Sequence, residues 1–293
     1  MTREKMTKIR PRRSALYMPA SNARALEKAK SLPTDVIIFD LEDAVAPDAK
    51  TDAREQLAKV LLAGGYGQRE CVIRVNALDT PWGADDLEMV RAVTPDAVLI
   101  PKISTSKEIE QVQSLCPSLT QIWIMIETPK AIFNLPELAA CAVTSRLSCF
   151  VMGTNDLLKD MRARPMSGRE NLQAALSLSV LAARDYGLTV LDGVFNQIED
   201  LDGLASECAQ GLAFGFDGKT LIHPSQLEIT NKTFAPTAEE VQQARDVIAA
   251  FDDPANAGKG VLRVNGRMTE ILHRDSAQQL IAIADTIAQS ESL

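Results

Sequence analysis

The chain has 293 residues, 46% of them hydrophobic and 24% charged. That composition suits a globular protein with a sizeable core and excludes disordered, collagen-like and coiled-coil chains. Lys and Arg number 31 against 39 Asp and Glu, for a formal charge of −8, which argues against a nucleic-acid partner. Apolar stretches such as Ile122–Ile126 are far too short to span a bilayer, and the basic start of the chain precedes no apolar signal region. A cytoplasmic protein without a membrane partner is expected.

The five cysteines are scattered and the histidines number two, His223 and His273. This pattern suits a reducing compartment and excludes both a thiolate zinc centre and a three-histidine site. The chemistry is therefore expected to run on carboxylates, arginine and lysine.

In chain order, a basic tail (1–11) leads into short apolar runs, each followed by a helical stretch. The runs are Ala15–Pro19, Val36–Asp40, Cys71–Asn76, Ala97–Lys102, Ile122–Thr128, Leu147–Gly153, Leu188–Gly193 and Leu212–Gly215. Most are continuous in Val, Ile, Leu and Phe, as strands buried on both faces of a parallel sheet are. Between them, Ala23–Ser31, Ala49–Ala63, Ala84–Val93, Lys107–Leu115, Ile132–Ala142, Arg169–Tyr186 and Ile198–Gln210 read as amphipathic helices. Eight such units fit either a doubly wound sheet or a closed barrel. A typical barrel takes about 250 residues, and no GxGxxG or P-loop pattern follows the first run. The expected fold is a TIM (β/α)8 barrel over 12–235, followed by a helical extension over 236–293. Helices Ala238–Phe251 and His273–Ala288 flank a Gly- and Pro-containing link, Asp252–Gly266, and this extension is expected to act as a lid.

Active sites of such barrels sit at the C-terminal ends of the strands. There the runs end in Asp40-Leu-Glu42-Asp43, Arg74-Val-Asn76, Pro101-Lys102, Glu127-Thr-Pro129, Thr154-Asn-Asp156 and Asp192. Carboxylates converging without histidine or thiolate make a hard, oxygen-rich site suited to Mg²⁺, or Mn²⁺, rather than zinc. Glu127 and Asp156, on adjacent strands, are the expected ligands, with Asp40, Glu42 and Asp43 holding metal-bound waters around them. Arg74 is expected to grip a substrate carboxylate bidentately, as recognition of a 2-oxo or 2-hydroxy acid requires. Lys102 is expected to serve as a charge partner of these carboxylates rather than as a Schiff-base nucleophile. Arg12, Arg13, Arg24, Lys28 and Lys30 cluster around the first strand–helix unit and give it local positive charge.

These residues lie within Arg13-Ser-Ala-Leu-Tyr-Met-Pro19, Phe39-Asp-Leu-Glu-Asp-Ala-Val45, Val72-Ile-Arg-Val-Asn76, Pro101-Lys102, Ile126-Glu-Thr-Pro129 and Gly153-Thr-Asn-Asp-Leu157. Together with Gly218-Lys-Thr-Leu-Ile-His-Pro-Ser-Gln226 and the Gly258–Met268 tail, the ordered set resembles the citrate lyase β-subunit-like (CitE-like) enzymes of the HpcH/HpaI aldolase superfamily, close to malyl-CoA and citramalyl-CoA lyases. The resemblance runs from Arg12 to Ile287. It implies a Mg²⁺-dependent carbon–carbon lyase that cleaves or forms a 3-hydroxyacyl-CoA thioester, giving acetyl-CoA or a related acyl-CoA and a 2-oxo acid. It implies Glu127 and Asp156 as metal ligands and Arg74, Glu42 and Asp43 as catalytic groups. Coenzyme A contacts are implied at Tyr17, Asn22, Lys28, Arg13 and His223. The resemblance further implies that a tail carboxylate, here Glu270, acts catalytically in trans within a trimer or hexamer. Two departures stand out. Asn155 precedes Asp156 where many relatives carry an acidic residue, and Glu270 stands where relatives carry aspartate, one methylene shorter. Other readings are a malyl-CoA-type thioesterase, a CoA-independent pyruvate aldolase, and a citryl-ACP lyase subunit within a citrate lyase complex.

Overall fold

A computed structural model describes residues 10–291. Most of the basic tail therefore lies outside the described residues. Eight parallel strands close into a barrel in sequential order. They are β1 (Ser14–Pro19), β2 (Val36–Asp40), β3 (Glu70–Arg74), β4 (Ala97–Ile100), β5 (Gln121–Ile126), β6 (Leu147–Met152), β7 (Thr189–Asp192) and β8 (Gly218–Leu221). The strands alternate with α1 (Ala23–Ala29), α2 (Lys50–Ala63), α3 (Gly83–Val93), α4 (Ser106–Leu115), α5 (Pro129–Phe133), α6 (Leu135–Ala140), α7 (Thr154–Asp160), α8 (Gln173–Asp185), α9 (Leu201–Phe214) and α10 (Leu227–Phe234). The fold is a TIM barrel with a C-terminal helical segment.

Because side chains alternate along a strand, the barrel has two apolar layers. Ala15, Ile38, Val72, Leu99, Trp123, Met125, Val151 and Leu191 pack inside it. Leu16, Phe39, Ile73, Ile100, Ile126, Phe150 and Val190 pack outward against the helices. The lower end is stoppered by Arg12, whose guanidinium is paired with Glu70 at 2.7 and 2.8 Å and lies 4.8 Å from the centre of the Trp123 ring.

Three differences from the sequence reading have physical causes. The apolar run Leu212–Gly215 is the end of α9, closed by Gly215 in the left-handed conformation, and the eighth strand is the polar Gly218-Lys-Thr-Leu. That strand is invisible to apolar pattern because its buried lysine is neutralised in place. The stretch Ile132–Ala142 is broken at Asn134, where Pro136 enters the first turn of a second helix. Helix α7 follows β6 after one residue, so Asp156 stands on a helical first turn rather than on a strand end.

Arg12–Phe234 form one compact unit, and a second includes the chain from Ala235 onward. That unit holds α11 (Ala238–Asp252), the antiparallel pair β9 (Val261–Val264) and β10 (Arg267–Glu270), and α12 (Ile271–Glu291). Its small core joins Ala244, Val247, Val264 and Ala277. The expected loop Asp252–Gly266 is therefore partly a strand that pairs with the Arg267–Glu270 segment.

Candidate active site

The interior parity that places Ile38, Val72 and Met125 inside the barrel also turns Asp40, Arg74 and Glu127 into its mouth. Asp40, 1% exposed, receives Arg74 Nε at 2.7 Å and Nη2 at 2.6 Å. The same carboxylate accepts the backbone N–H groups of Glu42 at 2.9 Å and Ala44 at 3.1 Å. Asp40 is thus fully occupied in fixing the plane of Arg74 and the loop after β2. The expectation that it holds a metal-bound water is corrected on that ground.

Arg74 lies 4.7 Å from the centre of the Tyr17 ring. Its Nη1 faces Glu42 Oε2 at 2.8 Å and Asp43 Oδ2 at 3.3 Å. Burial alone would favour discharge of this guanidinium, but the Asp40 charge and hydrogen bonds hold it well above its ordinary range. Glu42 behaves in the opposite way. Burial pushes its carboxyl up to about 8 against the pull of Arg74, with Asp43, Glu127 and Asp40 adding repulsion. Its Oε2 is buried and, among the described residues, makes no well-aligned hydrogen bond despite its closeness to Arg74. Such a group holds a proton near neutrality, as general acid–base work requires.

Glu127, 1% exposed, accepts the Lys102 backbone N–H at 2.7 Å. Its seat depends on Gly153, because a Cβ there would stand 2.6 Å from Glu127 Oε2. The Lys102 ammonium lies 2.7 Å from Asp156 Oδ1 and 3.6 Å from Glu127 Oε1. The two expected metal ligands are therefore brought together around one cation. Burial raises Glu127 from the usual carboxylate range, opposed by Lys102. Burial alone would lower Lys102, but its hydrogen bond to Asp156 and the Glu127 charge outweigh this and raise it. The Lys102 side chain is 41% exposed, which leaves it room to withdraw.

Among the described residues no cluster of three or more His, Cys, Asp and Glu side chains forms a ready-made metal cage. The donor set still fits Mg²⁺, which takes one or two carboxylates and completes its octahedron with water or substrate oxygens. An ammonium lodged between two carboxylates marks the place where the protein demands positive charge.

The other expected residues divide. Asn22 caps α1 by accepting the Ala25 N–H at 3.1 Å, and Lys28 is exposed on the same helix. Tyr17 turns inward beneath Arg74, away from these two, and burial raises its hydroxyl far above its usual range. Arg13 is 5% exposed at the opposite end of β1 and is clamped on Asp35 at 2.9 Å. Its assignment to coenzyme A is corrected: a buried, paired guanidinium at the barrel's lower end has no free face for phosphate. Arg12 is removed from the basic cluster for the same reason. His223 is exposed after β8 and caps the following turn through Nδ1, 3.2 Å from the Ser225 N–H. Glu270 ends β10 in the C-terminal unit and is exposed.

Asp192 corrects the expected ring of strand-end acids. Its parity follows Val190, so it points outward to the helix layer. There it meets Arg169 at 2.7 Å and Lys219 at 3.0 Å. Sequence reasoning missed Lys50. Its buried ammonium holds the Leu41 and Glu42 carbonyls at 2.8 Å and Asn76 Oδ1 at 2.6 Å, and so shapes the loop that carries Glu42. Nothing in the local pattern of α2 signals that role.

A family profile described as HpcH/HpaI aldolase/citrate lyase matches residues 13–224. A (3S)-malyl-CoA thioesterase from Cereibacter sphaeroides is 49% identical over 278 residues, covering 95% of this chain and 96% of the relative. The citrate lyase subunit beta of Escherichia coli is 35% identical, covering 95% of each chain. Among solved structures, CitE from Mycobacterium tuberculosis in complex with magnesium, acetoacetate and coenzyme A matches with a TM-score of 0.76 at 27% identity. That match covers 95% of this chain and 99% of the other.

Proposed function

The chain belongs to the HpcH/HpaI aldolase/citrate lyase family, and from that premise we propose that it is a Mg²⁺-dependent carbon–carbon lyase acting on a 3-hydroxyacyl-CoA thioester. Malyl-CoA or citramalyl-CoA is the proposed substrate, cleaved to an acyl-CoA such as acetyl-CoA and a 2-oxo acid. The observation that carries this reading is the mouth of the barrel, where Glu127 and Asp156 share one cation beside a guanidinium whose plane is fixed by Asp40.

Glu127 and Asp156 would hold Mg²⁺, which supplies Lewis acidity toward oxygen. The bidentate grip expected of Arg74 is corrected, because its Nε–Nη2 edge is committed to Asp40, and the substrate carboxylate is assigned to its Nη1 side. Breaking the C2–C3 bond removes the proton of the 2-hydroxyl and leaves an electron pair on the thioester's α-carbon. Glu42, beside Arg74 and raised to about 8, takes that proton in its ionised form. Protonation of the α-carbon is assigned to Glu270 of a second copy, within a trimer or hexamer. Asn22, Lys28 and His223 are the proposed coenzyme A contacts.

A second reading is favoured by the 49% identity to a (3S)-malyl-CoA thioesterase over 95% of the chain. There water adds to the thioester carbonyl and the thiol leaves, giving the free hydroxy acid and coenzyme A. A role as the β subunit of a citrate lyase complex follows from the 35% relative. Purified chain with Mg²⁺ and (3S)-malyl-CoA, analysed by mass spectrometry, separates these readings. Acetyl-CoA with glyoxylate supports the lyase, and malate with free coenzyme A supports the thioesterase. Turnover of the chain alone excludes an obligate subunit.

A further inference from the structure

Lys50, the first residue of α2, is 5% exposed. Its three N–H donors go to the Leu41 and Glu42 carbonyls, each at 2.8 Å, and to Asn76 Oδ1 at 2.6 Å. All three acceptors are neutral, and the centre of the Trp82 ring lies 5.1 Å from the ammonium. Burying an ammonium among neutral groups is costly, which points to a requirement beyond closing a loop.

The identity of the acceptors shows what is held. The Leu41 and Glu42 carbonyls belong to the two peptides that flank the Glu42 Cα, so one cation fixes both rigid peptide planes at that atom. The direction of the Glu42 Cα–Cβ bond follows from those planes. At the far end of the side chain, Oε2 stands 2.8 Å from Arg74 Nη1 without a well-aligned hydrogen bond. The backbone, more than the contact itself, therefore sets where this carboxyl lies. Lys50 is held in its turn. Asn76 Nδ2 donates to the Leu41 carbonyl at 3.0 Å and to Asp86 Oδ2 at 2.6 Å, and the Asn76 backbone N–H reaches the same Asp86 oxygen at 2.9 Å. Asp86, 1% exposed on α3, accepts Arg54 Nε from α2 at 2.8 Å. A buried chain of polar contacts thus runs from the helix layer to the loop after β2.

We infer that Lys50 is a positioning residue for the reaction: through the Leu41 and Glu42 carbonyls it sets the Glu42 carboxyl against Arg74, while Asn76 and Asp86 fix Lys50 itself. The inference rests on the proposed reading, in which Glu42 takes the hydroxyl proton. The Lys50 donors reach none of Arg74, Glu127 and Asp156, and Arg74 keeps its own clamp on Asp40. Loss of Lys50 should therefore slow turnover and leave substrate affinity in place.

The test is a double-mutant cycle on the full-length, Mg²⁺-loaded protein turning over (3S)-malyl-CoA, with Lys50→Met, Glu42→Gln and the two combined. Lys50→Met should lower kcat about a hundredfold, the scale of a small misplacement of a reacting group, with KM within about threefold of wild type. In the Glu42→Gln background the same change should cost less than about threefold, because the group it positions is already gone. A merely structural lysine would lower the rate by the same factor in both backgrounds, and that result overturns the inference. So does a wild-type kcat in Lys50→Met. The crystal structure of Lys50→Met is the second readout. Glu42 should leave Arg74 Nη1 while Asp40 keeps its grip, and a Glu42 still 2.8 Å from Arg74 overturns the inference. Where Lys50→Met does not fold, Lys50→Gln, which keeps an amide donor, takes its place in both experiments. If the wild type turns over no thioester, or Glu42→Gln keeps its rate, the proposed reaction or the part of Glu42 in it falls. The crystal structure then decides alone whether Lys50 positions the carboxyl.

Discussion

Two charged clusters crown this barrel, and they are built on opposite principles. Around the end of β7, Asp192 and Glu207 meet Arg169 and Lys219 in equal number, and Asp192 and Lys219 are wholly buried. Burial would raise the Asp192 carboxyl, but the Lys219 and Arg169 charges hold it below its usual value. At the ends of β2 to β6, five carboxylates (Asp40, Glu42, Asp43, Glu127 and Asp156) face Arg74 and Lys102. There Glu42 rises to about 8 and Lys102 is still partly exposed. A cluster whose charges close on themselves fixes structure. One with surplus carboxylate, a proton held at neutral pH and a withdrawable cation has capacity left for an outside ion and a substrate.

Substitution breaks this contrast most sharply. Glu127→Gln should lower kcat/KM by about a thousandfold (~4 kcal/mol), with far-ultraviolet dichroism and the urea midpoint close to wild type. Removal of Mg²⁺ by EDTA should do the same reversibly. Asp192→Ala should reverse the pattern. It leaves Arg169 and Lys219 with Glu207 alone as counter-charge, at a cost of about 3–5 kcal/mol in urea unfolding. Near-normal activity of Glu127→Gln, or an unchanged urea midpoint for Asp192→Ala, would erase the distinction between the clusters.

The pH dependences have opposite signs. Asp192 is depressed in the folded state, so its contribution is present above the unfolded value near 3.8 and is lost as pH falls through the folded value. Asp192→Asn should therefore flatten the loss of stability below about pH 4. Glu42 is raised from 4.5 to about 8, so the folded state resists its ionisation and stability drains away as pH climbs between those values. Glu42→Gln should gain stability relative to wild type across that window, as read from urea midpoints at pH 5 and pH 8. The smallest effect belongs to Lys102→Ala, which removes a competitor for Asp156. It should tighten Mg²⁺ binding by about threefold to tenfold, about 1 kcal/mol, the scale of a partly exposed ion pair.

The same contrast explains what was legible in the sequence. The barrel was readable because seven of its strands are runs of apolar residues at regular spacing. Arg74, Glu127 and Asp156 were readable because polar residues at the ends of such runs stand out. Inward and outward parity was not. Val190 and Leu191 are equally apolar, so nothing in the pattern shows that Asp192 follows the outward-facing Val190. The eighth strand hid because Lys219 is neutralised by partners 27 and 12 residues away. Arg12 and Arg13 looked like surface charge until Glu70 and Asp35 were brought beneath them by strand pairing. Lys50 holds backbone carbonyls that fold back to it, and no side-chain pattern encodes that contact.

On the proposed function, the Lys102 ammonium occupies ground that a divalent ion would take. Anomalous scattering from a crystal soaked in Mn²⁺ tests it directly. One peak is expected between Glu127 and Asp156, with Lys102 Nζ moved off Asp156. An empty map at that point, with the lysine still 2.7 Å from Asp156, would contradict it.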